Sequence, residues 1–346
     1  MRDTNSGFSE HMQNQQLAWR DDTTNTISPG LGWQNGKQRP WILPSEDWEQ
    51  NLWAGIRSGT AADLPAYLAT NRIQAHQGKH NLKSSWVHCA NLYYPFGQSP
   101  DGKELLASFL RTHVSPDIRS VDELYLEFAE PEGSPLHPSH LLGESGGSRG
   151  SGQTSPDLAF HVNGRKGLIL IENKLTEHSF YRCSGRNKSG SDERPANPNP
   201  ERCKDIKKLL DDPQHQCHQT IWGRKYWDIL RPVMNDQAMN ALNYCPASNA
   251  GYQLFRQQAL AEGIANSGKY DFVYSCVALD ERNETLKNCL KSTGIADLES
   301  GWSALFDGKA RFKTFTHQQW VSWVRTHGDQ SIWQSWLNYV CDRYGY

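Results

Sequence analysis

The run GLILIENKL (Gly167–Leu175) constrains the fold more than any other stretch of this chain. In an extended strand side chains alternate, so Leu168, Leu170, Glu172 and Lys174 share one face and Ile169, Ile171, Asn173 and Leu175 share the other. Both faces are apolar as far as Ile171. Such a strand needs cover on both sides, which puts it in the middle of a sheet with helices above and below. A carboxylate and an ammonium at its end mark where that cover stops.

The segment before it, SPDLAFHV (Ser155–Val162), reads as a second strand, joined through Asn163-Gly164. If Asn163–Lys166 is a four-residue loop, Val162 pairs with Gly167 and Asp157 falls opposite Glu172, their Cβ atoms about 5 Å apart. If only Asn163-Gly164 forms the loop, Asp157 opposes Leu170 and is the diagonal neighbour of Glu172. Either even-length loop keeps both carboxylates on one face with Lys174 one step beyond; an odd-length loop separates them. Two carboxylates this close repel and raise one another's pKa unless a cation sits between them. A hard divalent ion suits the site. Mg²⁺, or Mn²⁺ in its place, keeps several waters and needs only one or two protein carboxylates plus phosphate oxygens. Lys174 beside the metal could orient a nucleophilic water or stabilise charge developing on phosphorus. The plainer alternative is a solvated strand end beside an unrelated turn aspartate. A lone P-D or E-x-K is common by chance, and it is the conjunction that carries the reading.

The rest of the chain divides around this hairpin. Residues 1–40 are polar, an arm that stays loose or orders by docking Trp19 and Trp33. Residues 41–100 form a helical, aromatic segment: SEDWEQNLWAGIRSG is expected to be a helix with Trp48, Leu52 and Ile56 on one face, and ADLPAYLATNRIQAH another. Residues 101–280 carry the core: a helix over Asp101–His113, a strand in VDELYLEFAE, the two hairpin strands, a helix over Cys217–Leu230 and a strand over Tyr270–Leu279. That order, αβββαβ, describes an α/β fold with a mixed central sheet flanked by helices. Residues 281–346 add a strand and helices packed on the core. Two glycine-rich stretches, Gly143–Ser155 and Gly185–Pro200, are loops by composition.

Formal net charge is −2, so no global field draws nucleic acid and any binding face must be local. One local excess lies just after the apolar strand: Arg182, Arg186, Lys188, Arg194, Arg202, Lys204, Lys207 and Lys208 stand against four acids. An ordinary solvated loop is the alternative. No run approaches the roughly 18 apolar residues of a membrane span, and the start MRDTNSGFSEHMQ has no apolar core, so a soluble, cytoplasmic protein is expected. The thirteen tryptophans could stack bases, but spacings such as Trp320 and Trp323 fit a helical core face.

On Pro156, Asp157, Glu172 and Lys174 the chain resembles the PD-(D/E)xK nuclease superfamily, with its restriction-endonuclease-like fold. The flanks EFAEPE and ENKLTEHSF, and the aromatic SSWVHCANLYYPFG upstream, resemble a poorly characterised bacterial group within it. The likeness covers about residues 84–280. It implies a metal-dependent hydrolase of phosphodiester bonds, a DNA endonuclease of restriction, defence or repair type. Asp157 and Glu172 would be the metal ligands and Lys174 the catalytic lysine. The superfamily often adds an upstream acid, here Glu104 on the first helix or Glu127 in EFAE, with Glu127 favoured. The helix after the motif often lends a polar residue; Gln219 is placed for that, with Tyr226 second. Cutting both strands commonly calls for two sites, hence a homodimer. A rival reading keeps the fold without the chemistry, as a non-catalytic nucleic-acid-binding or assembly module, and metal affinity that depends on Asp157 separates the two.

Eight cysteines without a secretory signal argue against a disulfide framework. Cys276 and Cys341 read as core residues. Cys183, Cys203, Cys217 and Cys245, with His218 adjacent, follow the motif closely, and four thiolates, or three with a histidine, suit tetrahedral zinc. Their spacing lacks the C-x-x-C form. Some members of the superfamily carry an iron–sulfur cluster with one cysteine before the motif and three after, which would make Cys89 the early ligand. Unrelated buried thiols are the alternative. A metal clamp would explain how the loop Gly185–Pro200 is pinned at both ends.

Overall fold

Five strands form one mixed sheet in chain order: β1 (Val121–Leu126), β2 (Leu158–Val162), β3 (Gly167–Lys174), β4 (Phe272–Leu279) and β5 (Arg311–Thr316). The first three are antiparallel neighbours, and β3, β4 and β5 run parallel. All eight residues of β3 are buried, as a centre strand covered on both faces requires. The computed structural model describes residues 6–22, 25, 27–28, 30–187, 190–191 and 194–346.

The longer helices are α1 (Ser6–Asp21), α2 (Ser85–Tyr93), α3 (Pro100–His113), α4 (Tyr252–Asn266), α5 (His317–His327) and α6 (Gln330–Tyr344). Their starts follow local chemistry. The Ser99 hydroxyl accepts from the Gly102 amide ahead of Pro100 in α3, and Thr316 and Gln319 form a reciprocal capping box on α5. Ile169 and Ile171 enter a core built with α2, α3, α5 and α6, where Phe96, Trp320, Trp333 and Trp336 pack ring on ring. Leu168 and Leu170 enter the opposite core with Leu254, Phe255, Leu260 and Ile264 of α4. Each such side chain, fully buried, stabilises the fold by about 1.5–3 kcal/mol before entropy is counted.

The expected α/β class and mixed, helix-flanked sheet are those observed, but some elements differ. Cys217–Leu230 is not one helix. It breaks into His218–Ile221 and Tyr226–Leu230 at Gly223, whose φ of +71° is left-handed. The helix preceding β4 is α4, which the apolar pattern did not mark. Ser45–Asn51 and Ala54–Ile56 are separate 3₁₀ turns because Leu52 between them is extended, although Leu52 and Ile56 are buried. In the N-terminal segment, α1 packs on α6, with the Gln16 Nε2 donating to the Arg343 carbonyl at 2.8 Å. Trp19 docks edge-on to Tyr339, while Trp33 stays 65% exposed. Among the described residues no helix is long and apolar enough to cross a membrane.

Candidate active site

The hairpin turn sets the site. Asn163, Gly164 and Arg165 are all left-handed, with φ of 58°, 67° and 64°. The Asn163 side chain holds the turn by accepting from the Arg119 amide at 2.7 Å and donating to the Asp117 carbonyl at 2.8 Å. Val162 pairs with Gly167, so the loop is the four-residue Asn163–Lys166. Leu158 pairs with Ile171 as the last rung, and Asp157, the residue before β2, stands at the end of β3 where Glu172 follows Ile171. The Asp157 Oδ2 accepts from the Asn173 amide at 2.8 Å.

Lys174 lies two residues along the same face. Its Nζ donates to Glu172 Oε1 at 2.6 Å and sits 3.9 Å from Glu177 Oε1. Glu177 is fixed by accepting from the Leu175 amide at 2.9 Å. From α4, Gln253 Nε2 donates to the same Glu172 oxygen at 2.7 Å. Tyr181, half exposed and left-handed at φ 57°, sets its ring 5.7 Å from the lysine nitrogen at the rim.

Glu127 follows β1 with φ 49°, a left-handed conformation that costs a non-glycine residue about 1–2 kcal/mol. Its amide donates to the Asp157 carbonyl at 3.1 Å, and its own carbonyl accepts from Arg149 Nε at 2.8 Å. Buried, and in the field of Asp157 and Glu172, its carboxyl is held well above the usual range. Burial and the Glu172 charge push Asp157 up to about 8, against the pull of Lys174 and the Asn173 amide. Burial works against the Lys174 charge, yet Glu172, Glu177 and Asp157 outweigh it and hold the ammonium above its ordinary pKa. The lysine therefore keeps its proton and acts as a donor and a charge.

Asp157 and Glu127, raised by burial and then by the neighbouring Glu172 charge, are oxygen donors short of positive charge, which fits a hard divalent cation. Among the described residues no three His, Cys, Asp or Glu side chains converge tightly enough for an all-protein ion site. Mg²⁺ does not require one, because substrate phosphate and water fill most of its shell.

The other expected residues lie elsewhere. Glu104 is exposed on α3. Gln219 is not beside the carboxylates: its Nε2 donates to Cys183 Sγ at 3.3 Å and to Ser184 Oγ at 3.2 Å. The break at Gly223 and the absence of a continuous helix there explain the displacement, and Gln253 stands where a helical polar residue was sought. Tyr226 donates to the buried Glu144 at 2.6 Å, part of an anchor in which Glu144 also holds Thr154 and Arg256. That anchor and Arg149 pin the Gly143–Ser155 loop against the end of β1. Cys89 is buried in the α2 core, whereas Cys183, Cys203, Cys217 and Cys245 line one cavity on the opposite side of the sheet. Cys89 therefore cannot join those four around one group. The basic stretch is largely paired internally, Lys204 with Glu201, Lys208 with Asp205 and Arg186 with Glu201 and Asn249; Lys188 lies outside the described residues.

A family model described as restriction endonuclease associating with ARP matches residues 13–345. Comparison with curated proteins and comparison with solved structures give no match.

Proposed function

The chain belongs to the family of restriction endonucleases associating with ARP, and from that premise we propose that Asp157, Glu172 and Lys174 form the hydrolytic centre of a Mg²⁺-dependent nuclease. Its substrate is the phosphodiester backbone, in DNA, and its role is restriction, defence or repair. The observation that carries this reading is the hairpin register, which ends at Leu158–Ile171 and leaves Asp157 bonded to the Asn173 amide at 2.8 Å and Lys174 bonded to Glu172 at 2.6 Å. Asp157 and Glu172 would hold the cation, Mg²⁺ or Mn²⁺, with the buried Glu127 carboxyl in the field of both. When bound, the metal supplies Lewis-acid charge for the scissile phosphate and the attacking water.

The chain's own groups do the rest. Lys174, protonated and fixed by two glutamates, points donors toward a phosphate oxygen or the nucleophile and stabilises charge as it develops. Gln253 locks the Glu172 carboxylate so that its remaining oxygen keeps one direction. A double-strand cut would draw on two chains. Calorimetric titration of Mn²⁺ into the protein tests the metal site: one ion per chain is expected, with binding at least 10-fold weaker in Asp157→Asn. Equal affinity in that variant removes Asp157 from the site and, with it, this reading.

A further inference from the structure

A cavity of about 590 Å³ opens at the β1 edge of the sheet, within the roughly 300–1,000 Å³ of sites that take small molecules. Its aromatic wall is Tyr125 on β1 and Phe128 just after it, with ring centroids 5.8 Å apart and planes at 67°. Both rings belong to the core on the α4 side of the sheet, the side on which Gln253 of α4 reaches Glu172. We propose that this cavity binds one nucleotide, its base against Tyr125 and Phe128 and its phosphate on Arg72 and Arg149. Its source is the substrate strand, and that part rests on the nuclease reading above.

The charges of the wall carry the phosphate half. Arg72, Arg149, Arg165 and Lys269 line the cavity with Glu130 and Glu132. Lys269 is taken by Glu130, at 2.7 Å, and Arg165 by Glu123. Arg149 donates to the carbonyls of Glu127, Leu126 and Asn71 at 2.8, 3.1 and 3.2 Å. Its guanidinium is thus held still, while among the described residues its charge meets no carboxylate at ion-pair distance. Arg72, next after Asn71, is exposed and left-handed at φ 52°, uncommon for a residue other than glycine. Among the described residues its side chain has no hydrogen bond or ion pair. Against these two cations Glu132 is the one acid of the wall without an ion pair among the described residues. The surplus is a single positive charge, the complement of one phosphodiester, and the planar arginine fork suits its oxygens.

The base half has polar partners as well as rings. Gln153, more than nine-tenths buried at the wall, donates through Nε2 to Ser155 Oγ at 3.4 Å and leaves Oε1 without a partner. A base N–H would satisfy that oxygen. His137, equally buried there, uses Nδ1 on Ser139 Oγ at 2.7 Å, and among the described residues its Nε2 has no partner.

The cavity adjoins the hydrolytic centre through one chain of bonds. Arg149 holds the Glu127 carbonyl, and the Glu127 amide donates to the Asp157 carbonyl at 3.1 Å. A nucleotide seated here would fix the strand beside the carboxylates. A paired base reaches the cavity only by swinging out of its stack.

Equilibrium dialysis of the full-length protein without metal measures binding of dAMP, of deoxyadenosine, and of a single-stranded oligonucleotide of about eight nucleotides. dAMP is expected to bind with a Kd of about 1 mM or tighter, and deoxyadenosine, without the phosphate, about 10-fold more weakly. Tyr125→Ala and Arg72→Gln should each weaken dAMP about 10-fold, the scale of one lost stacking or phosphate contact. Tyr125→Phe keeps the ring and should bind as the native protein does. So should Lys309→Gln, which removes a charge beside β5 at the opposite edge of the sheet. Circular dichroism confirms that all four variants fold. Displacement of dAMP by the oligonucleotide would establish a strand nucleotide as the occupant; binding of dAMP without displacement would establish a free nucleotide and overturn the strand assignment. No saturable dAMP binding, or native affinity in folded Tyr125→Ala and Arg72→Gln, would overturn the site itself. None of these readouts requires cleavage, so failure of the hydrolytic centre leaves them unmoved, and their failure leaves that centre standing.

Discussion

Glu172 is the most heavily engaged group of the site, with Lys174 and Gln253 sharing its Oε1 at 2.6 and 2.7 Å. Gln253 touches the carboxylate alone, so it is a positioning residue. Gln253→Ala is expected to lower kcat about 10–100-fold with KM little changed. Gln253→Glu should fall further, since it sets a second negative charge against Glu172. Steady-state cleavage rates check this, and an unchanged kcat in the alanine variant would remove Gln253 from the site. Asp157, Glu172 and Lys174 were legible in the sequence because strand alternation and an even hairpin loop fix their face by counting. Gln253 was not, because it arrives from a helix 81 residues downstream and nothing local ties it to the strand. Glu177 escaped for another reason: it follows the end of β3, where period-two alternation no longer says where a side chain points.

The hairpin β2–β3 holds the site's register, and its turn carries three successive left-handed residues. Gly164 has open space around a Cβ, so Gly164→Ala meets only the backbone penalty, about 1–2 kcal/mol. Chemical denaturation should show that loss with cleavage retained, because the loop length is unchanged. Deleting Gly164 leaves an odd loop and turns Asp157 away from Glu172; it should abolish activity even where the protein folds. Retained cleavage in the deletion would contradict the register argument. Strands were readable because β3 is apolar as far as Ile171 and β4 is apolar but for Ser275, and both are bounded by turns. Helix α4 was obscured by Gln257, Gln258 and Glu262, which are buried yet polar. Gln257 donates to Ser275 Oγ at 3.0 Å and Glu262 accepts from the Ala310 amide at 2.9 Å, so burial did not require apolar side chains. The stretch Cys217–Leu230 misled in the opposite sense: its apolar spacing suits a helix, but Gly223 turns the chain.

Across the whole molecule, the C-terminal segment closes over the back of the sheet. Arg343 on α6 is fully buried against Asn51, Gln16 and the Trp19 ring, tying both ends of the chain to one core. Next to it His317 donates to the Lys174 carbonyl at 3.0 Å and meets the Tyr93 hydroxyl at 3.1 Å, so α5 buttresses the strand that carries the lysine. Burial depresses His317 to about 4, against the Lys174 carbonyl, Asp280 and Glu177, which favour its charge. The unfolded chain protonates this histidine near pH 6.5 and the folded one only near 4. Its contribution is thus fully present above pH 6.5 and lost as pH falls towards 4, by up to about 3 kcal/mol. Denaturation midpoints across that window should fall less steeply in His317→Gln than in the native protein. An identical slope would show that His317 is not held neutral.

The central claim is that the site at the end of the central strand β3 hydrolyses phosphodiesters, and it is tested most directly by incubating circular and linear DNA with the native protein and with Lys174→Ala, with and without Mg²⁺ or Mn²⁺. The native protein should cut only with metal and should linearise or nick the circle. Lys174→Ala should remain folded, bind DNA, and lose at least about 100-fold in rate, the scale of a single preorganised donor to the transition state. Metal-independent cutting, or undiminished turnover in Lys174→Ala, would contradict the account.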